Sequence, residues 1–514
     1  MLMLFRLISK RLLLVSSILL LCVSAFADEP FRNHRYSSMM TTPVAKDNIV
    51  FVGNSITNMH PWAEAFSSDK VVGRGTSGAV SSEILSNVQS FISGRPEKLF
   101  LMIGTNDMAS KDADFNEIIK NIRQFINHTQ KESPRTKIYL QAVMPSNNGN
   151  RSVERTHAFN ELQKQLAEEM NITFVDHEEA LMGVSTYNLS YDLLHPHILG
   201  NRIWCDQLAP FIGKKVSVCY PEQPAVINGG MQNSFGARLS SLSQLPVRKN
   251  SILFVGDDMM HNTEWHELLH NSNILNRGTG WGCWTGMDII EKYIEPILRG
   301  REGNEQPKQI VLHMGRQELA SSTADIEDVK AKYSAIVKEI MKLSPTTRIS
   351  LLAVAPYGVK EINKRNLLVF NAWLKEVAEK CRNIDYIDIY TPLIDSDDNA
   401  KTDYYSGNYV MGLGIIQIAR AIAPFVKDSS VSKDTENQFG VMLARKELSN
   451  TIDRAERVLK KQKTDGLLRP ETESKIREAI DEGYKKLAEN TIDVSAISNI
   501  TKKIISSQGS LIVN

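Results

Sequence analysis

The sequence predicts an α/β protein in which one parallel-sheet unit is built twice and a small helical module follows. Three observations lead there. Short apolar runs alternate with longer amphipathic segments through most of the chain, and four motif blocks recur in the same order about 210 residues on. Beyond about Asp428 the pattern changes to charged, helix-spaced segments. A chain of 514 residues is long enough for two or three domains.

The first 27 residues stand apart from this pattern. Arg6, Lys10 and Arg11 precede an apolar run from Leu12 to Val23, and Ala25-Phe26-Ala27 is a small-x-small cleavage site. This reads as a signal peptide cleaved before Asp28, and hence as a periplasmic or secreted protein. Leu19-Leu20-Leu21-Cys22 lacks the small residues of a lipoprotein box. No later stretch approaches the roughly 18 apolar residues of a membrane span. The full chain carries 60 Lys+Arg against 59 Asp+Glu; without Arg6, Lys10 and Arg11 that becomes 57 against 59, a formal charge of −2. Neither figure suggests a nucleic-acid or anionic-membrane partner. Of five cysteines, Cys205, Cys219, Cys283 and Cys381 follow the leader, too few for a disulfide scaffold. An oxidising compartment would permit Cys205 to pair with Cys219. No Cys/His spacing suggests zinc.

In the first unit the apolar runs are 49–52, 98–103, 138–143 and 172–175; the second answers with 252–255, 310–313, 349–354 and 386–389. Segments 114–132, 152–170, 325–343 and 362–380 have helical spacing. Such alternation implies parallel sheets covered on both faces, with ligands beyond the carboxyl ends of the strands. Gly53 maps to Gly256 and Gly75 to Gly278, each 203 residues on; Gly104 maps to Gly315, Pro145 to Pro356 and Asp192 to Asp403, each 211 on. The difference places a net eight-residue insertion near 299–306 of the second unit. The expected domains are 28–218, 222–428 and a helical C-terminal module at 430–514. In that module helices at 443–460, 471–489 and 495–507 flank a breaker at 464–470; it vaguely resembles small three-helix modules appended to bacterial surface glycoside-active enzymes, but a packing or spacing element is the expected role.

The chemistry sits in four blocks of the first unit: Gly53-Asn54-Ser55, Arg74-Gly75-Thr76-Ser77-Gly78, Gly104-Thr105-Asn106-Asp107, and Asp192-Leu193-Leu194-His195. Ester hydrolysis needs a nucleophile, a base, a group that orients the base, and oxyanion donors. Ser55 follows a strand and a glycine, in a turn that can turn its hydroxyl toward a cleft. The Asp192-x-x-His195 spacing puts a carboxylate and an imidazole on one face of a single turn, so that Asp192 can hold the His195 tautomer. The Gly78 N–H, the Asn106 amide and the Ser55 N–H together would form an oxyanion hole.

In order and identity these blocks resemble the SGNH (GDSL-type) hydrolase family, over about residues 45–214. Ser55, Gly78, Asn106 and His195 match the four namesake residues, and Asp192 the Asp of its final block. Asn54 departs from the usual Asp while keeping its shape. The resemblance implies a three-layer α/β/α, flavodoxin-like fold and ester cleavage without metal or cofactor. It also implies a mechanism: His195 deprotonates Ser55, which attacks the acyl carbonyl, and a water activated by the same His195 releases the acyl enzyme. Short-chain carbohydrate O-acetylesterases fit best, O-acetylated sialic acid being one such substrate. A lysophospholipase or thioesterase is the alternative. His60 and Trp62, just past the nucleophile, are candidates to line the acyl or sugar pocket; burial of Trp62 is the competing expectation.

The second unit resembles the same family in scaffold only. Asp258 stands at the serine, Trp281 at the glycine, Gln317 at the asparagine and Ser406 at the histidine. It is expected to lack esterase activity. Asp257, Asp258, His261, Trp281, Trp284 and Asp403 suggest either a sugar-binding cleft, making the chain a glycan-binding protein, or a structural partner for the first unit. Oligomeric state is not legible in the sequence.

Overall fold

Two five-stranded parallel sheets with the same strand order frame the protein. The computed structural model describes residues 29–182, 189–213, 216–224, 233–280, 289–321, 323–359, 364–465, 468–489 and 493–508. The leader and part of the second unit's glycine block, including Trp281 and Trp284, lie outside these residues. The first sheet holds β1 (Ile49–Gly53), β2 (Val71–Gly75), β3 (Lys98–Met102), β4 (Lys137–Gln141) and β5 (Thr173–Val175), in the order β2-β1-β3-β4-β5. The second holds β6 (Ile252–Gly256), β7 (Ile274–Asn276), β8 (Gln309–His313), β9 (Arg348–Leu352) and β10 (Ile384–Ile387), in the order β7-β6-β8-β9-β10. All neighbours within these two sheets run parallel. The expected α/β fold is therefore present in both halves, in the 2-1-3-4-5 order of flavodoxin-like sheets.

Helices cover both faces, which is why β1 and β6 read as unbroken apolar runs and are buried throughout. The long helices Phe115–Glu132 and Ile326–Leu343 start on Asp114 and Asp325, whose side chains accept first-turn amides. The first buries Ile118, Ile122, Phe125 and Ile126, one stripe at helical spacing. Each sheet has its own hydrophobic core, and a third core lies among the C-terminal helices Lys433–Thr464, Pro470–Ala488 and Val494–Gln508. Among the described residues, no helix is long and apolar enough to cross a membrane.

Two helices that hydrophobic periodicity does not reveal join the units. α1 (29–41) precedes the first sheet. α2 (Ser55–Met59) follows β1, α3 (Ile198–Ile212) closes the first unit, and α4 (Ser234–Leu242) precedes the second sheet. α1 and α4 are equivalent, and each is anchored by a buried arginine. Arg35 donates from Nε to the Gly75 carbonyl of its own unit (2.8 Å) and from Nη1 to the Asn262 carbonyl of the other (2.7 Å). Arg238, 203 residues on, donates to Gly278 O (2.8 Å) and, across the junction, to Met59 O (2.6 Å). A second reciprocal pair lies beside it. Arg74 makes a two-pronged bond to Glu267 at 2.9 and 2.7 Å, and Arg277 donates to Glu64 at 2.6 Å. Both guanidinium groups are fully buried (0% exposed).

A buried ion pair stripped of one partner leaves an uncompensated charge, which costs about 3–5 kcal/mol. Arg74→Ala should therefore destabilise the chain by that amount in urea unfolding, whereas replacing Arg74 and Glu267 together with leucines should recover most of the loss. A penalty for Arg74→Ala below about 1 kcal/mol, the scale of an exposed pair, would show that the junction does not depend on it.

Candidate active site

β1 and β3 are neighbours, and the chain leaves β1 outward to β2 before returning to β3. The switch point thus falls between the ends of β1 and β3, where such sheets bind ligands. Ser55 emerges there as the first residue of α2, capped by Asn54, whose Oδ1 accepts the Ile56 amide at 3.0 Å. Asn54 thus fills the capping role for which Asp and Asn serve equally. Gly53 is needed for close approach: a Cβ would sit 2.3 Å from Thr57 Oγ1 and 2.5 Å from Met102 O.

His195 Nε2 lies 2.8 Å from Ser55 Oγ, and His195 Nδ1 lies 2.7 Å from Asp192 Oδ2. The second carboxylate oxygen, Oδ1, accepts from the His195 amide (2.8 Å), the Leu194 amide (3.1 Å) and Ser190 Oγ (2.9 Å). Asp192 and His195 are carried by a tight loop with Leu193 in the left-handed region (φ 62°). Asn148 tethers that loop by donating to Asp192 O at 3.0 Å. Burial by itself would raise the Asp192 pKa. The hydrogen bonds and charge of His195 and the bond from Ser190 outweigh it and hold the carboxyl well below its usual range. Asp192 therefore stays ionised, as a group that stabilises an imidazolium must.

The opposite wall carries the other two blocks. Gly78 has a positive φ of 80°, which a side chain would strain, and Arg32 Nη1 would be the nearest atom to a Cβ there, at 3.7 Å. Asn106 Nδ2 donates to Ala79 O at 3.0 Å, which uses one of its two amide hydrogens. Asp107 accepts from the Ser81 amide (3.0 and 3.1 Å) and from Ser81 Oγ (2.6 Å). Asn106 and Asp107 together pin the Gly78 loop beside Ser55. The Ser55 amide, in the first turn of α2, is one that a helix leaves without an internal partner. Sequence reasoning missed Ser190, Asn148 and the Asp107–Ser81 clamp. Only Asp107 carried a signal, as the last residue of its block.

The competing expectation, burial, holds for Trp62, and His60 is buried with it; both border a cavity of about 410 Å³ between the units, and His60 borders the small void beside His195. Trp62 is buried, stacks on Phe51 at 3.6 Å between centroids, and donates from Nε1 to Thr57 O at 2.9 Å. His60 is buried beside Cys205, Trp204 and Tyr220. α2 is only five residues long, so the chain turns back into the core directly after the nucleophile. One expectation is corrected. Cys205 and Cys219 do not pair: both are free, and the Cys205 thiol lies 3.4 Å from His60 Nε2.

The second unit fills the equivalent place. Its histidine block is replaced by a hairpin of β11 (Tyr405–Ser406) and β12 (Tyr409–Val410). Gly200 packs on Pro196 as Gly414 packs on Val410, an offset of 214 that puts Tyr409, not Ser406, in the place of His195. Asp403 lies before the hairpin, in a short turn. Arg316 stands where the first unit has Thr105. It donates to the carbonyls of Ala355, Pro356 and Asn408 and lies over the Tyr357 ring. Asp257 is bonded to buried His313 at 3.0 Å, and His261 is buried. The void among His34, Asp258, Arg316 and Tyr409 is about 10 Å³, room for one water at most.

The partly buried relay of serine, histidine and carboxylate at the switch point of a parallel sheet defines a serine hydrolase. Residues 51–203 match the GDSL-like Lipase/Acylhydrolase family, so the first unit is an acylhydrolase domain of that family. Solved structures similar to the chain include a Streptococcus pneumonia protein provisionally described as a platelet activating factor (27% identity, 38% of this chain and 99% of that one, TM-score 0.34). A GDSL-like lipase from Bacteroides thetaiotaomicron is similar at 22% identity, over 32% of this chain and 87% of that one, TM-score 0.29. Axe2, an acetylxylan esterase from Geobacillus stearothermophilus, is similar at 21% identity, over 33% and 96%, TM-score 0.29. A comparison with curated proteins finds no match.

Asp258 offers a test of the second unit. Burial, and then the neighbouring Asp257 carboxylate, raise its pKa to about 6. A carboxyl whose folded pKa is raised stabilises the fold fully only below its unfolded value, ~3.9, and that contribution is lost as pH rises through 6. Asp258→Asn should therefore raise Tm by about 2–4 °C at pH 7.5, with the gain gone near pH 4 and ester hydrolysis unchanged. An equal gain at both pH values would contradict the assignment.

Proposed function

We propose that the protein is an exported esterase that removes short acyl groups, acetyl foremost, from an O-acylated carbohydrate such as O-acetylated sialic acid. Its acyl-enzyme forms on Ser55. The observation that carries the chemistry is the Ser55–His195–Asp192 relay at 2.8 and 2.7 Å. In this reading His195 takes the Ser55 proton as Oγ attacks the acyl carbonyl. Asp192 stabilises the imidazolium, and the Ser55 N–H, Gly78 N–H and Asn106 amide receive the oxyanion. The imidazolium then gives its proton to the departing sugar hydroxyl, and His195 activates a water that releases the acid.

A short acyl group follows from the resemblance of the four blocks to short-chain carbohydrate O-acetylesterases. A carbohydrate is supported by the polar surroundings of the relay: Asn106, Asn148 and Arg151 all bond to main-chain carbonyls there. Export is supported by the basic and apolar leader and its Ala25-Phe26-Ala27 site.

Ser55→Ala should lower kcat on p-nitrophenyl acetate by on the order of 10⁴-fold or more, and Asn106→Ala by about 10²–10³-fold. With p-nitrophenyl esters of rising chain length, kcat/KM should fall at least about 10-fold from acetate to octanoate if the site is built for short acyl groups. Preference for the octanoate or for lysolipids over acetylated sialic acid and acetylated xylan would overturn the substrate assignment. Near-normal turnover by Ser55→Ala would overturn the mechanism.

A further inference from the structure

The helix that supports the back of the relay does not belong to the first unit. α4, from the second unit, touches the helix that carries Ser55 and the helix that follows the His195 loop. Arg238 donates to Met59 O at 2.6 Å, the carbonyl of the last residue of the nucleophile helix α2. Ser240 Oγ accepts the amide of Ile198 at 3.0 Å, the first residue of α3, three positions beyond His195. Ser241 Oγ accepts from Asn201 Nδ2 at 2.7 Å, and the same amide group donates to Pro196 O at 3.1 Å. Pro196 is the residue after His195. All three supporting side chains are buried.

We infer that the second unit is an intramolecular positioning partner for the first: through Arg238, Ser240 and Ser241 it sets the distance between the Ser55 turn and the His195 loop. The inference rests on Ser55 and His195 being the acyl-transfer groups. Its physical basis is direct. α2 and α3 are separate segments of chain, and a misplacement of about 1 Å between nucleophile and base costs up to ~10²-fold in rate. Arg238 fixes the end of one segment and the two serines fix the start of the other, from a single rigid helix. These are positioning residues; none of them bonds to Ser55 Oγ or to the His195 ring.

The chain contains its own control. α1 makes the mirror contacts on the second unit, where Arg35 donates to Asn262 O (2.7 Å) and Ser37 Oγ accepts the Gly412 amide (2.9 Å). Ser37 and Ser240 occupy equivalent positions, 203 residues apart, but only Ser240 supports a segment that carries a catalytic histidine.

The experiment compares full-length Ser240→Ala/Ser241→Ala, Ser37→Ala, Ser240→Thr and Arg238→Lys with the parent. Readouts are kcat and KM on p-nitrophenyl acetate, the rate of Ser55 labelling by a fluorophosphonate, and Tm. The double alanine variant should lose on the order of 10–10²-fold in kcat and in labelling rate, with KM within about twofold. Ser37→Ala should lower Tm comparably while leaving kcat unchanged, and Ser240→Thr, which keeps the hydroxyl, should restore kcat. Arg238→Lys keeps the charge but has a single donor group to serve both Met59 and Gly278; it should slow labelling without abolishing folding, and it carries the test if the double variant does not fold. Equal kcat losses in Ser37→Ala and the serine variants, or unchanged labelling in Arg238→Lys, would overturn the inference. Labelling that persists in Ser55→Ala would instead overturn the catalytic assignment on which it rests.

Discussion

Two buried arginines per unit, each with a partner across the junction, are the constraint on which the arrangement depends. A guanidinium cannot be deprotonated to escape burial, and it has five N–H donors to satisfy. Arg74 and Arg277 find carboxylates in Glu267 and Glu64; Arg35 and Arg238 find carbonyls in both units at once. Separating the units would take from each of the four its partner on the other side. The junction is therefore polar yet specific, since a planar two-pronged bond such as that of Arg74 to Glu267 tolerates little sliding. Its geometry reaches the relay directly, because the carbonyl that Arg238 holds ends the helix that Ser55 begins.

Within the first unit the relay is determined by topology first and by local bonds second. The 2-1-3 strand order brings the ends of β1 and β3 together, so that Ser55 and Asn106 share one cleft without being near in sequence. Local bonds then remove the remaining freedom: Asn54 caps α2, Asp107 clamps Ser81, and Ser190 and two amides fix the Asp192 carboxylate that aims His195. The depressed pKa of Asp192 records that last set of bonds, because donors that favour the ionised form must overcome its burial.

The strands of the central sheets and the long amphipathic helices were legible because hydrophobic periodicity reports burial of apolar faces. β2 and β7 were not: Val-Val-Gly-Arg-Gly and Ile-Leu-Asn are short, and the first holds a buried Arg74. α1 and α4 escaped for a related reason. Their buried positions include Arg35, Ser37 and Ser38 in one, and Arg238, Ser240 and Ser241 in the other, so the faces they bury are largely polar. The serine, asparagine, aspartate and histidine positions could be read because their order in the chain is distinctive. The supports of those residues could not, since Ser190 and Asn148 matter only through where they are placed. The burial of His60 and Trp62 was not legible from nearness in sequence: five residues of helix suffice to carry the chain from Ser55 into the core.

The two units differ in what their equivalent helices enclose. α4 closes over a serine, a histidine and an ionised aspartate that form a continuous relay, whereas α1 closes over Asp258, Arg316 and Tyr409 packed around a void of about 10 Å³. Among the described residues, that void has no room for a sugar. The exchange of helices also explains how chemistry can be absent from one unit while its fold is kept. Filling the second cleft removes a nucleophile position and nothing that the first unit uses, because the first unit's support comes from α4, on the far side of the second sheet's own strands in sequence. Losing the second fold would remove Arg238, Ser240 and Ser241 together. The scaffold of the second unit and the chemistry of the first are thus held by the same few bonds.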